Sequence, residues 1–215
     1  TLKNIQSSNP EIILITGDLG QSTAKEWIEF SEFMEKNKIY ITLGDSDLSE
    51  RNDYLKHYAL NDDYHSFDYQ NIHFLAISTN EEKDDEIGIF SDPMRLDFIV
   101  TDLSNAANNS ETDWIIVFLH HPMYTSTPNS YSMDLRSLLQ PTFDLYGVNL
   151  VINGHKHAYE RTNPVMFNNT ITDNENCLYD DPNGQIYLTV GTGGHSHSPF
   201  KQKQSWSVIQ NHNDY

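Results

Sequence analysis

A chain of 215 residues is long enough for one domain with a sizeable buried core, and its 37% hydrophobic and 12% aromatic content is that of a globular protein. Thirteen basic against 31 acidic residues leave a formal charge of −18, which excludes nucleic acid as a partner, since no basic stripe exists to displace counterions from phosphates. No apolar run approaches the roughly 20 residues that a membrane span needs, and Cys177, the single cysteine, excludes an internal disulfide.

The first strand is the β-branched run Ile12 to Thr16, which ends at Gly17. Ser22 can cap a helix over Thr23 to Lys36, with Trp27, Ile28, Phe30, Phe33 and Met34 as its apolar stripe. Ile39 to Leu43 reads as a second strand, again stopped by a glycine. Ser66 to Tyr69 and Ile72 to Ser78 flank Gln70-Asn71 and predict a hairpin. Pro93 starts a helix to about Ala106. Trp114 to Leu119 is a strand, Asp134 to Tyr146 a helix stopped by Gly147, and Val148 to Ile152 and Ile186 to Val190 are strands. The acidic stretches Asn61 to Asp63, Glu81 to Glu86 and Asp173 to Asp181 read as solvated loops. Asn108-Asn109-Ser110 and Asn168-Asn169-Thr170 are glycosylation sequons.

Strands alternate with helices and then give way to hairpins, which predicts an α/β sandwich with mixed sheets. Ligands in such folds gather beyond the carboxyl ends of strands. Four predicted strands end in a polar cluster: Gly17-Asp18, Gly44-Asp45, His120-His121 and Gly154-His155-Lys156-His157. Imidazole suits zinc, iron, copper or nickel, and in an extended segment His155 and His157 point the same way. Taken singly, Asp18 and Asp45 read as turn residues and His120 or His121 as core histidines. The set of four points to chemistry.

Gly17-Asp18, Gly44-Asp45-Ser46-Asp47, His120-His121-Pro122 and Gly154-His155-Lys156-His157, in that order, resemble the motifs of the calcineurin-like metallophosphoesterases. Ser66 to Phe74 is similar to the hairpin that these enzymes carry between their second and third motifs. Tyr146 to Arg161 resembles the purple acid phosphatase form of the last motif, and Gly191-Thr192-Gly193-Gly194 has a counterpart there. The resemblance covers nearly the whole chain. It implies an αββα sandwich of two mixed sheets flanked by helices, in a single domain over 1–215. It also implies two divalent or trivalent metal ions (iron, zinc or manganese) and a small phosphorylated substrate, hydrolysed by in-line attack of metal-activated hydroxide on phosphorus. Asp18 matches the carboxylate that bridges both metals. Asp45 stands where the family has an Asn ligand to the second metal. His120 matches that metal's histidine, with His155 beside it, and His157 matches a ligand of the first metal.

The departures shape the expectation. The family's opening Asp-x-Gly or Asp-x-His motif is absent, Asp18 being the first aspartate, so the domain is expected to continue upstream of Thr1 and beyond Tyr215. Ser46 replaces a histidine that contacts phosphate, and a hydroxyl carries no positive charge at neutral pH. Losing such an acid typically costs about 10²–10⁴-fold. Gln21 occupies the position of the metal-binding tyrosine of purple enzymes. Their substrate-side histidines are missing from Tyr124 to Tyr131, leaving His121, His195 and His197 as substitutes. The leading expectation is an acid-phosphatase-like phosphomonoesterase, with Asp45, Ser46 and His121 catalytic and His195 and His197 binding substrate. The alternatives are a pseudophosphatase serving as a binding or structural component with protein partners, and a phosphodiesterase using the same site. The sequons favour the secretory pathway, in an extracellular or lysosome-like compartment.

Overall fold

The computed structural model describes residues 2–19, 30, 32, 38–80, 88–128, 132–167, 169–170, 183–193 and 196–211. Helix α1 (Leu2–Ser8) leads into β1 (Ile12–Ile15), which pairs in parallel with β2 (Lys38–Ile41). After a single 3₁₀ turn come α2 (Arg51–His57), the hairpin β3 (Tyr64–Tyr69) and β4 (Ile72–Ile77), α3 (Pro93–Ala107), β5 (Trp114–Leu119) and α4 (Ser132–Tyr146). The strands β6 (Leu150–Asn153), β7 (Tyr159–Thr162), β8 (Val165–Met166), β9 (Asn169–Thr170), β10 (Ile186–Val190) and β11 (Ser207–Asn211) complete it. Seven strands form one mixed sheet in the order β11-β7-β10-β6-β5-β4-β3. Its centre, β4, β5, β6 and β10, is parallel, while β3, β7 and β11 run antiparallel to their neighbours.

The layers follow from which residues are apolar on both faces. Phe74, Ala76 and Phe118 point to one face of the large sheet and pack against Ile12, Leu14 and Tyr40 of the small one, with Tyr40 stacked on Phe67. Leu75, Ile77, Val117 and Leu119 point to the other face, where Ile99 and Leu103 of α3 and Leu135, Leu139 and Phe143 of α4 cover them. Each such side chain contributes roughly 1.5–3 kcal/mol on burial. On the far side of the small sheet, Ile13 packs with Phe30 and Ile5. Helix, sheet, sheet and helix therefore stack as expected, although the small sheet is parallel rather than mixed among the described residues.

Local chemistry sets the boundaries. The Asp92 carboxylate accepts hydrogen bonds from the Met94 and Arg95 amides, both at 3.0 Å, and Pro93 opens α3. Gly147, at φ +68°, terminates α4 in the left-handed region. The predicted hairpin turns at Gln70, also left-handed. The helix expected over Thr23 to Lys36 lies almost wholly outside the described residues, where only Phe30 and Glu32 are helical. Sequence reading missed α1 and α2, each seven residues long, and the strands β7 to β9 and β11.

Candidate metal centre

The parallel strands β1, β2, β4, β5 and β6 all deliver their carboxyl ends to one place. Thr42 Oγ1 donates to Ile77 O at 2.9 Å and sews the small sheet to the large one there. Gly154 N donates to His120 O at 3.0 Å and does the same for β5 and β6. At this pole Asp18 Oδ2 lies 3.3 Å from His120 Nε2. His155 Nδ1 lies 3.3 Å from that same nitrogen and 3.1 Å from Asp45 Oδ2. Asp45 Oδ2 is 3.8 Å from His120 Nε2, and Asp45 Oδ1 is 3.1 Å from His121 Nε2. Donor atoms of Asp45, His120, His121 and His155 all fall within 4.8 Å of one another. Zinc-type bonds of about 2.0–2.1 Å at tetrahedral angles put donors about 3.3–3.4 Å apart, close to the 3.1, 3.3 and 3.8 Å separations among Asp45 Oδ2, His155 Nδ1 and His120 Nε2, so these atoms are spaced as ligands of a transition-metal ion would be.

The outer contacts aim the donors. His120 is fully buried, and its Nδ1 donates to the Thr16 carbonyl at 2.6 Å. That bond fixes the ring and turns Nε2 toward the carboxylates. Thr79 Oγ1 accepts from the His121 amide and contacts His121 Nδ1, both at 3.0 Å. Asp47, also buried, accepts at one oxygen from both the Asp18 amide (2.8 Å) and the Gly44 amide (2.9 Å), locking two strand ends together. Asp18 and His155 both sit in the left-handed region, at φ +54° and +59°. Non-glycine residues held there mark over-determined sites.

Glycines make the convergence possible. Gly17, at φ +86°, leaves room where a Cβ would lie 2.5 Å from the Gly44 amide and 2.7 Å from His120 Nδ1. At Gly154 a Cβ would lie 2.6 Å from Thr16 Oγ1.

The electrostatics follow from this crowding. Burial works against charge on Asp18, yet His120 and the Ser46 amide outweigh it and bring the carboxyl down to about 2. Burial likewise opposes charge on Asp45, but His121, His155 and His120 hold its pKa well below the carboxylate range. His120 is discharged by burial but charged by Asp18, Thr16 O and Asp45, and the balance raises its pKa. Burial dominates at His121 and, with the charge on its histidine neighbours, lowers its pKa despite Asp45. Both carboxylates are therefore held in the ionised form, the form that ligation of a metal needs.

The remaining predicted residues are placed differently. His155 is not in an extended segment: residues 155–158 form bends, His155 being left-handed. The expectation that alternation points His155 and His157 the same way rested on extended backbone that the chain does not have. His157 Nδ1 donates to Ser196 O at 3.0 Å, and the His157 amide meets Ser198 Oγ at 3.2 Å. His121, expected to face substrate, is 7% exposed with both ring nitrogens engaged by Thr79 and Asp45. Ser46, half-exposed, donates its amide to Asp18 Oδ1 at 2.8 Å. His197 is half-buried in the segment that docks on His157, and His195 and Gln21 lie outside the described residues.

Sequence reading missed Asp47, Thr79 and Thr16 as the residues that orient the donors. The spacing Gly44-x-x-Asp47 signalled the first, and nothing local signalled the others. Lys156, between the two motif histidines, is half-buried, and burial lowers its pKa against the opposing pull of Asp45. Glu160 of the same motif is buried. It accepts from Ser126 N (2.7 Å), Ser126 Oγ (2.5 Å) and Gln210 Nε2 (3.1 Å), so it anchors the segment that follows His120-His121-Pro122.

A model of the calcineurin-like phosphoesterase family matches residues 1–159. Purple acid phosphatase 1 of Ipomoea batatas is 37% identical over 92 residues, covering 41% of this chain and 20% of its own length. Fe(3+)-Zn(2+) purple acid phosphatase 12 of Arabidopsis thaliana is 38% identical over 94 residues, covering 41% and 20%. The chain thus spans about a fifth of the length of these curated relatives. Purple acid phosphatase from yellow lupin (Lupinus luteus) seeds superposes with a TM-score of 0.77 at 20% identity, over 99% of this chain and 42% of that one. Strand order, the converging strand ends and the family match agree: the chain belongs to the calcineurin-like phosphoesterase family, and part of it is similar in sequence to purple acid phosphatases.

Proposed function

We propose that this pole hydrolyses phosphate monoesters in the manner of an acid phosphatase, with metal held by Asp18, Asp45, His120 and His155, and by His157 on the side of the first metal. The observation that carries the reading is the convergence of Asp18, His120 and His155, which arrive from β1, β5 and β6 and share one contact point at His120 Nε2. One or two bound ions of iron, zinc or manganese supply Lewis acidity and lower the pKa of water to roughly 7. The chain's own residues do the rest. Thr16 O keeps the His120 proton on Nδ1, away from the site. The Ser46 amide holds Asp18 in its ligating orientation. Lys156, half-buried between His155 and His157 in the chain, carries a positive charge that interacts with Asp45 and that an anionic substrate could use. The exposed side of Asp45, 47% accessible, is the side from which a small substrate enters.

The test is turnover of p-nitrophenyl phosphate against bis(p-nitrophenyl) phosphate by protein loaded with zinc, manganese or iron. Metal-dependent hydrolysis of the monoester, abolished by His155→Ala, is the expected result. Preferred cleavage of the diester moves the assignment to a phosphodiesterase, and activity that survives His155→Ala removes the site.

A second reading, a catalytically impaired member that acts as a binding or structural component, is favoured by Ser46. Its amide serves Asp18, and its side chain offers only a hydroxyl where the family carries imidazole. Combining Asp45→Asn with Ser46→His separates the readings: an inert natural protein whose double variant turns over supports the second. We also place the chain in the secretory pathway, because Asn108 of the first sequon is exposed at the end of α3. Mass spectrometry of secreted protein, with and without glycosidase, should find a glycan on Asn108. No described helix is long and apolar enough to cross a membrane.

A further inference from the structure

We infer that His121 is a metal ligand in its own right, completing with Asp45, His120 and His155 a three-imidazole, one-carboxylate set that holds a single zinc-class ion. The inference rests on the proposed metal reading and deepens it, since His121 has no counterpart in the ligand set that the motifs imply. Four donors, one per residue, lie within 4.8 Å of one another. His121 Nε2 lies 3.1 Å from Asp45 Oδ1, and the separations of 3.1, 3.3 and 3.8 Å among Asp45 Oδ2, His155 Nδ1 and His120 Nε2 bracket the roughly 3.3–3.4 Å edge of a zinc-type tetrahedron.

His121 carries the signature of a ligand rather than a substrate contact. It is buried, its Nδ1 rests on Thr79 Oγ1, and its Nε2 points to the same carboxylate that His155 reaches. An imidazole oriented by a hydrogen bond at the far nitrogen is the usual state of a metal-bound histidine, and His120 is held in the same way by Thr16 O. Asp45 fits this role better than an asparagine: one oxygen faces His121 and the other faces His155 and His120. A carboxylate and three neutral imidazoles leave a divalent ion with one net positive charge. Four protein donors also fill a tetrahedron, the arrangement of ions that are held rather than turned over. An ion held by these residues would tie the ends of β2, β5 and β6 together.

Cobalt(II) reports on this directly, because a four-coordinate ion absorbs visible light far more intensely than a six-coordinate one. Titration of demetallated protein should give one tight equivalent with intense four-coordinate absorption before any second ion binds. His121→Ala should weaken that first equivalent by more than about 100-fold, since loss of an outer partner alone costs about 10–100-fold, and should bleach the spectrum. Thr79→Val, which keeps the volume but removes the partner of Nδ1, should weaken it by about 10–100-fold. His157→Ala should leave the first equivalent unchanged. Circular dichroism separates misfolding from ligand loss in His121→Ala, and Thr79→Val tests the same claim with a smaller perturbation. Weak, six-coordinate absorption in the natural protein, or unchanged cobalt affinity in folded His121→Ala or Thr79→Val, overturns the inference. Intense absorption with no hydrolysis of any phosphate ester supports the ligand assignment and overturns only the phosphatase reading.

Discussion

At the carboxyl end of the large sheet, His120, His121 and His155 meet Asp18 and Asp45; near the opposite end, His73 of β4 meets Asp68 of β3 and Asp102 of α3. Both clusters are built from the same two residue types at hydrogen-bonding distance, yet they are chemically unlike. His73 Nδ1 lies 2.8 Å from Asp68 Oδ1 and its Nε2 lies 2.9 Å from Asp102 Oδ2, so each nitrogen already has its own carboxylate. Ser66 Oγ donates to the other oxygen of Asp102 at 2.5 Å. Nothing there is left to point at an ion. At the first cluster, each buried imidazole spends its far nitrogen on a neutral oxygen, Thr16 O or Thr79 Oγ1, and turns the other inward. Direction, set by neutral outer partners, separates the proposed metal cluster from a structural ion pair.

The largest test of that distinction is to remove direction while keeping every donor. One oxygen of Asp47 fastens the Asp18 and Gly44 amides. Asp47→Ala leaves a buried donor, the Gly44 amide, and a part-buried one, the Asp18 amide, without this acceptor, at up to about 1–3 kcal/mol each. It should therefore cost up to about 2–6 kcal/mol in urea unfolding and abolish tight cobalt binding. Asp47→Asn can present its single carbonyl oxygen to both amides and should retain most of both. Equal metal affinity in the two variants would show that the strand ends do not need this tie.

A smaller effect is expected from crowding the same tie on the other side. Gly154→Ala would place a Cβ 2.6 Å from Thr16 Oγ1 and 3.1 Å from Thr16 O, the carbonyl that orients His120. Overpacking of this kind costs about 1–3 kcal/mol, and metal affinity should fall with it as His120 loses its aim. The control is Gly147→Ala, where no atom lies within 4 Å of the added methyl: it should pay only the backbone cost of its positive φ and leave metal binding alone. If Gly154→Ala binds cobalt as tightly as Gly147→Ala, His120 does not depend on the position of Thr16.

How much of this was legible in the sequence divides along the same line. The central strands and the two long helices announced themselves through apolar periodicity and clear punctuation, as at Pro93, Gln70-Asn71 and Gly147, because burial on one or both faces dictates their composition. The candidate donors stood out as polar motifs at strand ends, and the structure brings Asp18, Asp45, His120 and His155 together there. Their pairing was not legible. Asp45 lying between two imidazoles, His121 turning inward and His157 turning to Ser196 depend on left-handed backbone at Asp18 and His155 and on outer partners 42 and 104 residues away, Thr79 for His121 and Thr16 for His120. The strand β7 was missed because its sequence, Tyr-Glu-Arg-Thr, is polar. It lies between β10 and β11 and buries Glu160, whose charge is met by amide and hydroxyl donors rather than by a cation.

The smallest predicted effect sharpens the comparison from the structural side. Burial alone would lower the pKa of His73, but hydrogen bonds and charge from Asp102 and then Asp68 outweigh it and raise the pKa. A group with a raised native pKa stabilises the fold fully below its unfolded value, about 6.5 for histidine, and loses that contribution as pH climbs through the native value. Asp102 is 14% exposed and Asp68 65%. The Asp102 arm therefore carries most of the effect, about 1.5–3 kcal/mol for a charged hydrogen bond, while the Asp68 arm adds no more than about 0.2–1 kcal/mol. His73→Gln should consequently destabilise more at pH 5.5 than at pH 8.5, measured by urea unfolding against the natural protein at each pH. Asp102→Asn should reproduce that pH dependence and Asp68→Asn should show little of it. A His73→Gln penalty that is the same at both pH values would mean that His73 is neutral in its carboxylate clamp. The two clusters would then differ in where their histidines sit rather than in how their nitrogens are used.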